Sequence, residues 1–543
     1  MTRPAWLERS PAYAPAFLLV FAAAAGGLRT PGTWLLFGTL YLAWTALRPG
    51  GLAAAGQEAA LLFFGWLGAA ALFSPEPGVS LAALGRYGVC ALVFFSAAGG
   101  AGGEKGWLRA LYGLAASGAA VLLYEKLASG HVYGLIGKNP NYSAAFCAAA
   151  FAPAVLALAG AGEKKDRLLY GALAALLAAG VAASGSRGAL LAAFAAAACG
   201  LGLTRRWRWL GGLLLLAALA AVLLPSAALE TALKLEDPRA FSRPQLWGSA
   251  LNAAAASPLL GWGPGRVAAA FELFKFPFFD GVSYYGHGTL HAHSEFLNLA
   301  AEAGFPAALL LLLAVLQAGL SGWKARLPYL LAALAALLQG AVDMIFYSGA
   351  VSLLFWGSLG FAAAGAPAAG GRKLKIWLAA AALLCLLAPY AGRLARGPGA
   401  ADLARGESRL SPVVALALAR SAQAASPTNA LPVAEEGYAR AASGDLAGAA
   451  GAFGRALDLE PGFDAARVAL AGAYARAGDY ASACAVLAGG PAVRGAPPAL
   501  SPYDRALMDF DRQAAGKLEK ECVKKKAGAA TAASPKQRSK ATK

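Results

Sequence analysis

Thirteen mainly apolar stretches dominate the chain up to residue 394, at about 12–28, 31–47, 57–74, 79–100, 106–127, 142–162, 167–184, 187–203, 208–225, 294–320, 326–347, 350–366 and 375–394. Roughly 17 to 25 such residues cross a bilayer as a helix, the one open-ended form that satisfies its own backbone polar groups in hydrocarbon. A run of them dictates an all-α fold, a polytopic transmembrane helix bundle of about 12–13 spans. Composition excludes an ordinary soluble domain: 58% of residues are hydrophobic, 14% are charged, and mean hydropathy is +0.54. Arg3 and Arg9 precede the first run in the manner of a signal peptide, but further runs follow at once, so it reads as an uncleaved first span.

Basic residues in short loops stay on the cytoplasmic side. With an inward N-terminus, the clusters Lys164, Lys165 and Arg167; Arg205, Arg206 and Arg208; Lys324 and Arg326; and Arg372, Lys373 and Lys375 all fall inside. Arg29 alone disagrees. The Lys138-Asn139-Pro140-Asn141 loop, the turn Ser184 to Arg187 and the polar segment 226–293 then share the outer face. That face has no supply of ATP or nucleotide sugars, so a synthetic reaction there needs a donor that arrives activated, such as a lipid-linked diphosphate.

The outer segment holds three of the four histidines, His287, His291 and His293. Pro244 to Ala256 reads as a helix capped by Ser242 or Arg243 and stopped at Ser257-Pro258, followed by an irregular Gly261-Trp262-Gly263-Pro264-Gly265 turn. An arginine at a helix N-terminus can meet phosphate oxygens, which makes Arg243 a candidate diphosphate ligand; the bland alternative is an arginine reaching out to headgroups. Arg187, between glycines at a span start, is a second candidate or else a charged helix end. His293 opens a span and can take a proton from an attacking hydroxyl, or can simply cap the helix. Glu302 and Asp343 lie inside apolar runs, where an acid costs roughly 2.5 kcal/mol or more unless partnered.

His291, His293 and Glu295 would share a face only in an extended segment, so a metal site is not expected. The six cysteines show no CxxC and no ligand-like spacing; they read as small core residues, with no disulfide framework.

Taken in order, GKNPN, SGSRG, R-x-x-L-W with GWGPG, and H-S followed by nine residues and Gly304 resemble the O-antigen ligase family of bacterial membrane glycosyltransferases, over roughly residues 10–395. That group includes related O-antigen polymerases and protein O-oligosaccharyltransferases. The resemblance implies an enzyme of the inner membrane, with neither metal nor cofactor, that moves a glycan from an undecaprenyl diphosphate carrier to an acceptor hydroxyl on a lipid or protein at the periplasmic face. It implies catalytic roles for His293, Arg187 and Arg243, with Arg239 and Arg266 as rivals for the second arginine and Asn141, His291 and Glu302 beside the substrate. Ala307 departs from the last position of the family's histidine pattern. No nucleic acid partner is expected. A flippase or transporter is the reading from another class, disfavoured because the candidates gather at one face and no matched pair of broken spans is visible. A membrane-anchored scaffold is a third.

Composition shifts near residue 401. Gly444-Asp445-Leu446 recurs 34 residues later as Gly478-Asp479-Tyr480, and Pro427 recurs as Pro461, a period similar to tetratricopeptide repeats. A transmembrane domain over 1–400, a repeat domain over 401–516 that offers a surface to a protein partner, and a disordered tail over 517–543 are expected. The formal net charge is +18, and the tail alone, with nine Lys or Arg and two Glu, accounts for +7. Attraction of the tail to membrane lipids is one reading and an inert solvated tail is the other.

Overall fold

A computed structural model describes residues 5–47, 57–99, 103–223, 243–274, 289–364, 380–387, 412–425, 427–461, 463–489 and 515–525. Among the described residues every regular element is helical. The chain divides into two compact units, one of residues 1–266 and 291–389, the other of 267–290 and 390–543.

The first unit contains α1 (Ala5–Ala24), α2 (Pro31–Leu47), α3 (Glu58–Leu72), α4 (Pro77–Ala98), α5 (Glu104–Ser129), α6 (Pro140–Gly160), α7 (Lys164–Ser184), α8 (Arg187–Leu203), α9 (Trp207–Leu223) and α10 (Arg243–Ala256). The second unit takes α11 (Val267–Phe274), after which α12 (Glu295–Gly340) and α13 (Gly349–Ala362) complete the first. By length and apolarity Pro77–Ala98, Glu104–Ser129, Pro140–Gly160, Lys164–Ser184 and Glu295–Ser321 suffice to cross a membrane, and shorter apolar helices such as Arg187–Leu203 and Gly349–Ala362 pack beside them. The protein is a multi-pass membrane protein. Of the expected last span, 375–394, only 380–387 lies within the described residues, and it is helical.

Alanine sets how tightly this bundle closes. Helix α6 is buried nearly all round, with Ala144, Ala145, Ala148, Ala149 and Ala150 fully enclosed, because α5, α7, α8 and α12 all pack against it. Small side chains let helix backbones approach where lipid supplies no hydrophobic drive between spans.

Helix α12 joins two of the expected spans. Its 46 residues would reach about 69 Å if straight, yet a methyl group built on Gly319 would lie 3.7 Å from the Leu330 side chain. The helix therefore doubles back between these positions, where Ser321 Oγ donates to the Gln317 carbonyl (2.7 Å) and Pro328 removes a ladder donor. At the turn, Arg326 meets Glu104 (3.5 Å) and the Phe361 carbonyl (3.3 Å).

In the second unit α14 (Pro412–Ala425), α15 (Ala430–Ala442), α16 (Leu446–Leu459), α17 (Asp464–Arg476) and α18 (Tyr480–Ala488) follow one another, each packed on the next. The recurring Gly-Asp explains the period. Gly444 and Gly478 take left-handed backbone, and the next residue caps a helix, Asp445 accepting from the Gly448 amide and Asp479 from the Ser482 amide. Glu436 is buried among Gln423, Arg440 and Arg455; burial pushes its carboxyl up, but their hydrogen bonds and charges hold it below the ordinary carboxylate value.

Two expectations are corrected here. Cys484 and Cys522 form a disulfide, so these two are not simple core residues; their separation of 38 residues concealed the pairing. Residues 515–525, partly inside the tail expected to be disordered, form a helix, held by that bond and by Lys525 above the Tyr480 ring (4.8 Å). The remainder of the tail lies outside the described residues, as do 502–514.

Candidate functional site

Five helix ends, far apart in sequence, meet at one end of the first unit. The GKNPN motif is a helix start: Lys138 is in left-handed backbone, Asn139 accepts from the Asn141 amide (2.9 Å), and Pro140 occupies the first turn. The Asn141 side-chain amide donates to Asp343 Oδ2 (2.8 Å). SGSRG is a second start, in which Gly185 ends α7 with positive φ and Ser186 caps α8, leaving Arg187 as its first residue. Gln339 ties the two together by donating to the Asn141 carbonyl (3.1 Å) and to Ser186 Oγ (3.5 Å).

Asp343 lies at the centre. It is nearly enclosed, fixed by the Met344 amide (2.8 Å) and by Asn141, and its Oδ1 stands 4.0 Å from Arg243 Nη2 and 3.8 Å from His293 Nδ1. The His293 contact is longer than a hydrogen bond and within the range of an ion pair. His293 Nδ1 is buried and makes no hydrogen bond among the described residues. The residue has φ of +52°, and its carbonyl accepts from Trp247 Nε1 (3.4 Å) on α10. Non-glycine residues pay for such backbone in strain, and strain of this kind collects at functional sites. Leu28 and Lys138, also with positive φ, lie at the same end.

His291 packs its ring on Tyr347, 4.3 Å between centroids. Burial pushes its imidazole down to about 4, helped by the nearby charges of His293, Arg86 and Arg29, so it is neutral at physiological pH. Among the described residues no group of three His, Cys, Asp or Glu is placed to hold a metal ion.

The GWGPG turn serves as mounting. Gly304 breaks the ladder of α12 with φ of +79°, and Pro306 has no N–H to offer the Glu302 carbonyl. The carbonyls released there accept from the turn, Ala301 from the Trp262 amide (2.9 Å) and Glu302 from the Gly263 amide (2.8 Å), while the Phe305 amide turns to Pro258 (2.9 Å). A methyl group on Gly304 would overlap the Leu259 carbonyl. The Glu302 carboxylate accepts from the Gly265 amide and from Asn298, and Arg266 is buried against Glu76.

The structure thus brings His293, Arg243 and Asn141 to one carboxylate, with Arg187 on the helix capped beside them and His291 two residues away. It does not bring Glu302 or Arg266 there: both are enclosed in the loop's mounting, which argues against their expected contact with substrate. Arg239 lies outside the described residues. Asp343 was foreseen only as an acid in need of a partner, and Gln339 gave no signal, since a lone amide inside an apolar run has no pattern. Arg29, which dissented on sidedness, belongs to the same end of the bundle: its Nη1 donates to the Gly137 carbonyl (2.9 Å).

No curated protein matches the chain. The pattern of the family described as O-Antigen ligase matches residues 172–312, and that of the tetratricopeptide repeat matches residues 440–500. The first match covers α8, α10 and the leading arm of α12, with Arg187, Arg243 and His293, and it supports a membrane glycan-transferring function of the ligase or polymerase kind. Within its helical membrane bundle the chain has a segment that matches the O-antigen ligase family, and beyond the bundle one that matches the tetratricopeptide repeat.

Proposed function

We propose that the protein transfers a glycan from an undecaprenyl diphosphate carrier to an acceptor hydroxyl at the periplasmic face of the inner membrane, with residues to about 400 as the transferase and 401–516 as a repeat domain that docks an acceptor or assembly partner. The observation that carries this reading is the meeting of His293, Arg243 and Asn141 at Asp343. Asp343 holds a proton on His293 Nδ1, which leaves Nε2 as the acceptor for the proton of the attacking hydroxyl. The hydroxyl oxygen bonds to the anomeric carbon as the bond from that carbon to the diphosphate oxygen breaks. Negative charge grows on the leaving diphosphate, where Arg243 and Arg187 stabilise it. Attack from the face opposite the leaving group inverts the anomeric carbon.

Sidedness has two supports. The clusters at Lys164–Arg167 and Arg205–Arg208 lie at the helix ends remote from Asn139 and Ser186, as expected if that remote end is cytoplasmic. The Cys484–Cys522 bond suits an oxidising compartment for the second unit. Lipid, protein and growing-glycan acceptors share this donor chemistry.

The test uses the purified full chain in lipid vesicles with a lipid diphosphate glycan and candidate acceptor hydroxyls. Wild-type protein should release carrier diphosphate and glycosylate an acceptor, and His293→Ala should abolish transfer with an unchanged melting temperature. Movement of the donor across the bilayer without transfer would establish the flippase reading instead.

A further inference from the structure

Arg29 is an arginine where the membrane topology disfavours one, and the structure holds it there with care. Its loop is bound to the floor of the site at Gly27, whose carbonyl accepts from Ser348 Oγ (3.1 Å) and from the Ala350 amide (3.2 Å). Leu28, fully buried with φ of +52°, fixes the direction in which the next residue leaves. The guanidinium then spends one N–H on the Gly137 carbonyl, and Arg29 is exposed. A guanidinium has five donors, and among the described residues no carboxylate pairs with this one.

Its surroundings are aromatic. The Arg29 carbon Cζ stands 6.0 Å from the Tyr142 ring and 5.8 Å from the Tyr347 ring, and Tyr347 continues onto His291 at 4.3 Å. His291 is neutral, so the shelf does not repel a cation or a sugar. Tyr142 is enclosed and backs the guanidinium, whereas Tyr347 and His291 are half-buried, and flat rings of that kind beside a guanidinium offer stacking area for a pyranose face together with a bidentate grip on an oxyanion.

We propose that Arg29, with Tyr347 and His291, forms a subsite that binds an oxyanion carried next to a sugar ring, in addition to the arginines assigned above. This rests on the glycan-transfer reading. The oxyanion can come from the donor's diphosphate or from an acidic sugar of either saccharide. Arg29 and both tyrosines lie outside the matched segment 172–312.

The experiment measures binding to the full chain in neutral phosphatidylcholine nanodiscs, using three probes: undecaprenyl diphosphate, an oligosaccharide containing a uronic acid, and the same oligosaccharide with its carboxyl reduced to an alcohol. Wild-type protein should prefer at least one anionic probe to the neutral one. Arg29→Gln should weaken that probe about tenfold without changing the neutral one. Selective loss of undecaprenyl diphosphate binding assigns the subsite to the donor phosphates, and selective loss of the uronate assigns it to an acidic sugar. Tyr347→Leu, which leaves the charge in place, should weaken both oligosaccharides. The proposal is overturned if wild type shows no preference for either anion, or if Arg29→Gln binds all three normally. Should Arg29→Gln fail to fold, Arg29→Lys decides: weaker anion binding at an unchanged melting temperature supports the fork-shaped grip, and wild-type affinity overturns it. Glycan transfer by a wild type whose Arg29 variants bind normally would sink the subsite alone. Anion preference without any transfer would sink the reaction class alone.

Discussion

His293 Nδ1 and Asp343 Oδ1 stand 3.8 Å apart although a helix of 46 residues lies between them. Only the reversal of α12 makes this contact possible, so the carboxylate and the imidazole come from opposite arms of a hairpin.

Asp343→Asn should therefore uncouple the imidazole while keeping the volume. A carboxamide cannot carry the charge that orients a protonated Nδ1, and general-base assistance is worth roughly 10²–10⁴-fold. Transfer should fall by about that factor, with most of the loss in kcat. Steady-state kinetics with separate donor and acceptor titrations check this; a loss confined to KM would make Asp343 only a binding residue.

Gly304→Ala should lower stability by about 2 kcal/mol or more, since left-handed backbone and the Leu259 carbonyl both oppose a methyl group. Gly202→Ala has open space around it and should be close to neutral. Thermal melts of the two purified variants give the comparison.

Stability should depend on His291 in acid. Its folded value, about 4, lies below the ordinary 6.5, so the unfolded chain binds the extra proton first. The contribution is complete above pH 6.5 and is lost as pH falls towards 4. His291→Phe should flatten the melting temperature against pH across that window relative to wild type, and parallel curves would count against a buried neutral imidazole.

Glu436→Gln should loosen the repeat unit by about 1–3 kcal/mol, because Arg440 and Arg455 lose a charged acceptor in a buried position. Hydrogen exchange over 412–459 in the full chain should speed up, while the rates over 140–160 should not change.

Much of this was legible in the sequence because it rests on local signals. Length and apolarity marked the spans, Arg187 between its glycines marked a span start, and the 34-residue recurrence of Gly-Asp marked the repeats, whereas Asn139-Pro140 reads as a loop and proves to be a helix start. What escaped depends on contacts between distant segments. Cys484 and Cys522 carry no spacing that announces a pair. Asp343 could be recognised as an acid needing company, but not as the residue that His293, Arg243 and Asn141 would share. Glu302 and Arg266 drew attention as charges near the histidine, and only the break of α12 at Gly304 shows that they are spent on holding the turn.

The doubled-back helix also sets a timetable. Until the ribosome has delivered the returning arm and the segment through Tyr347 has settled into the bilayer, His293 has no carboxylate to face and Asn141 has nothing to hold. A nascent chain halted before that point would contain the histidine and both arginines in full, and would still lack the carboxylate that draws them together.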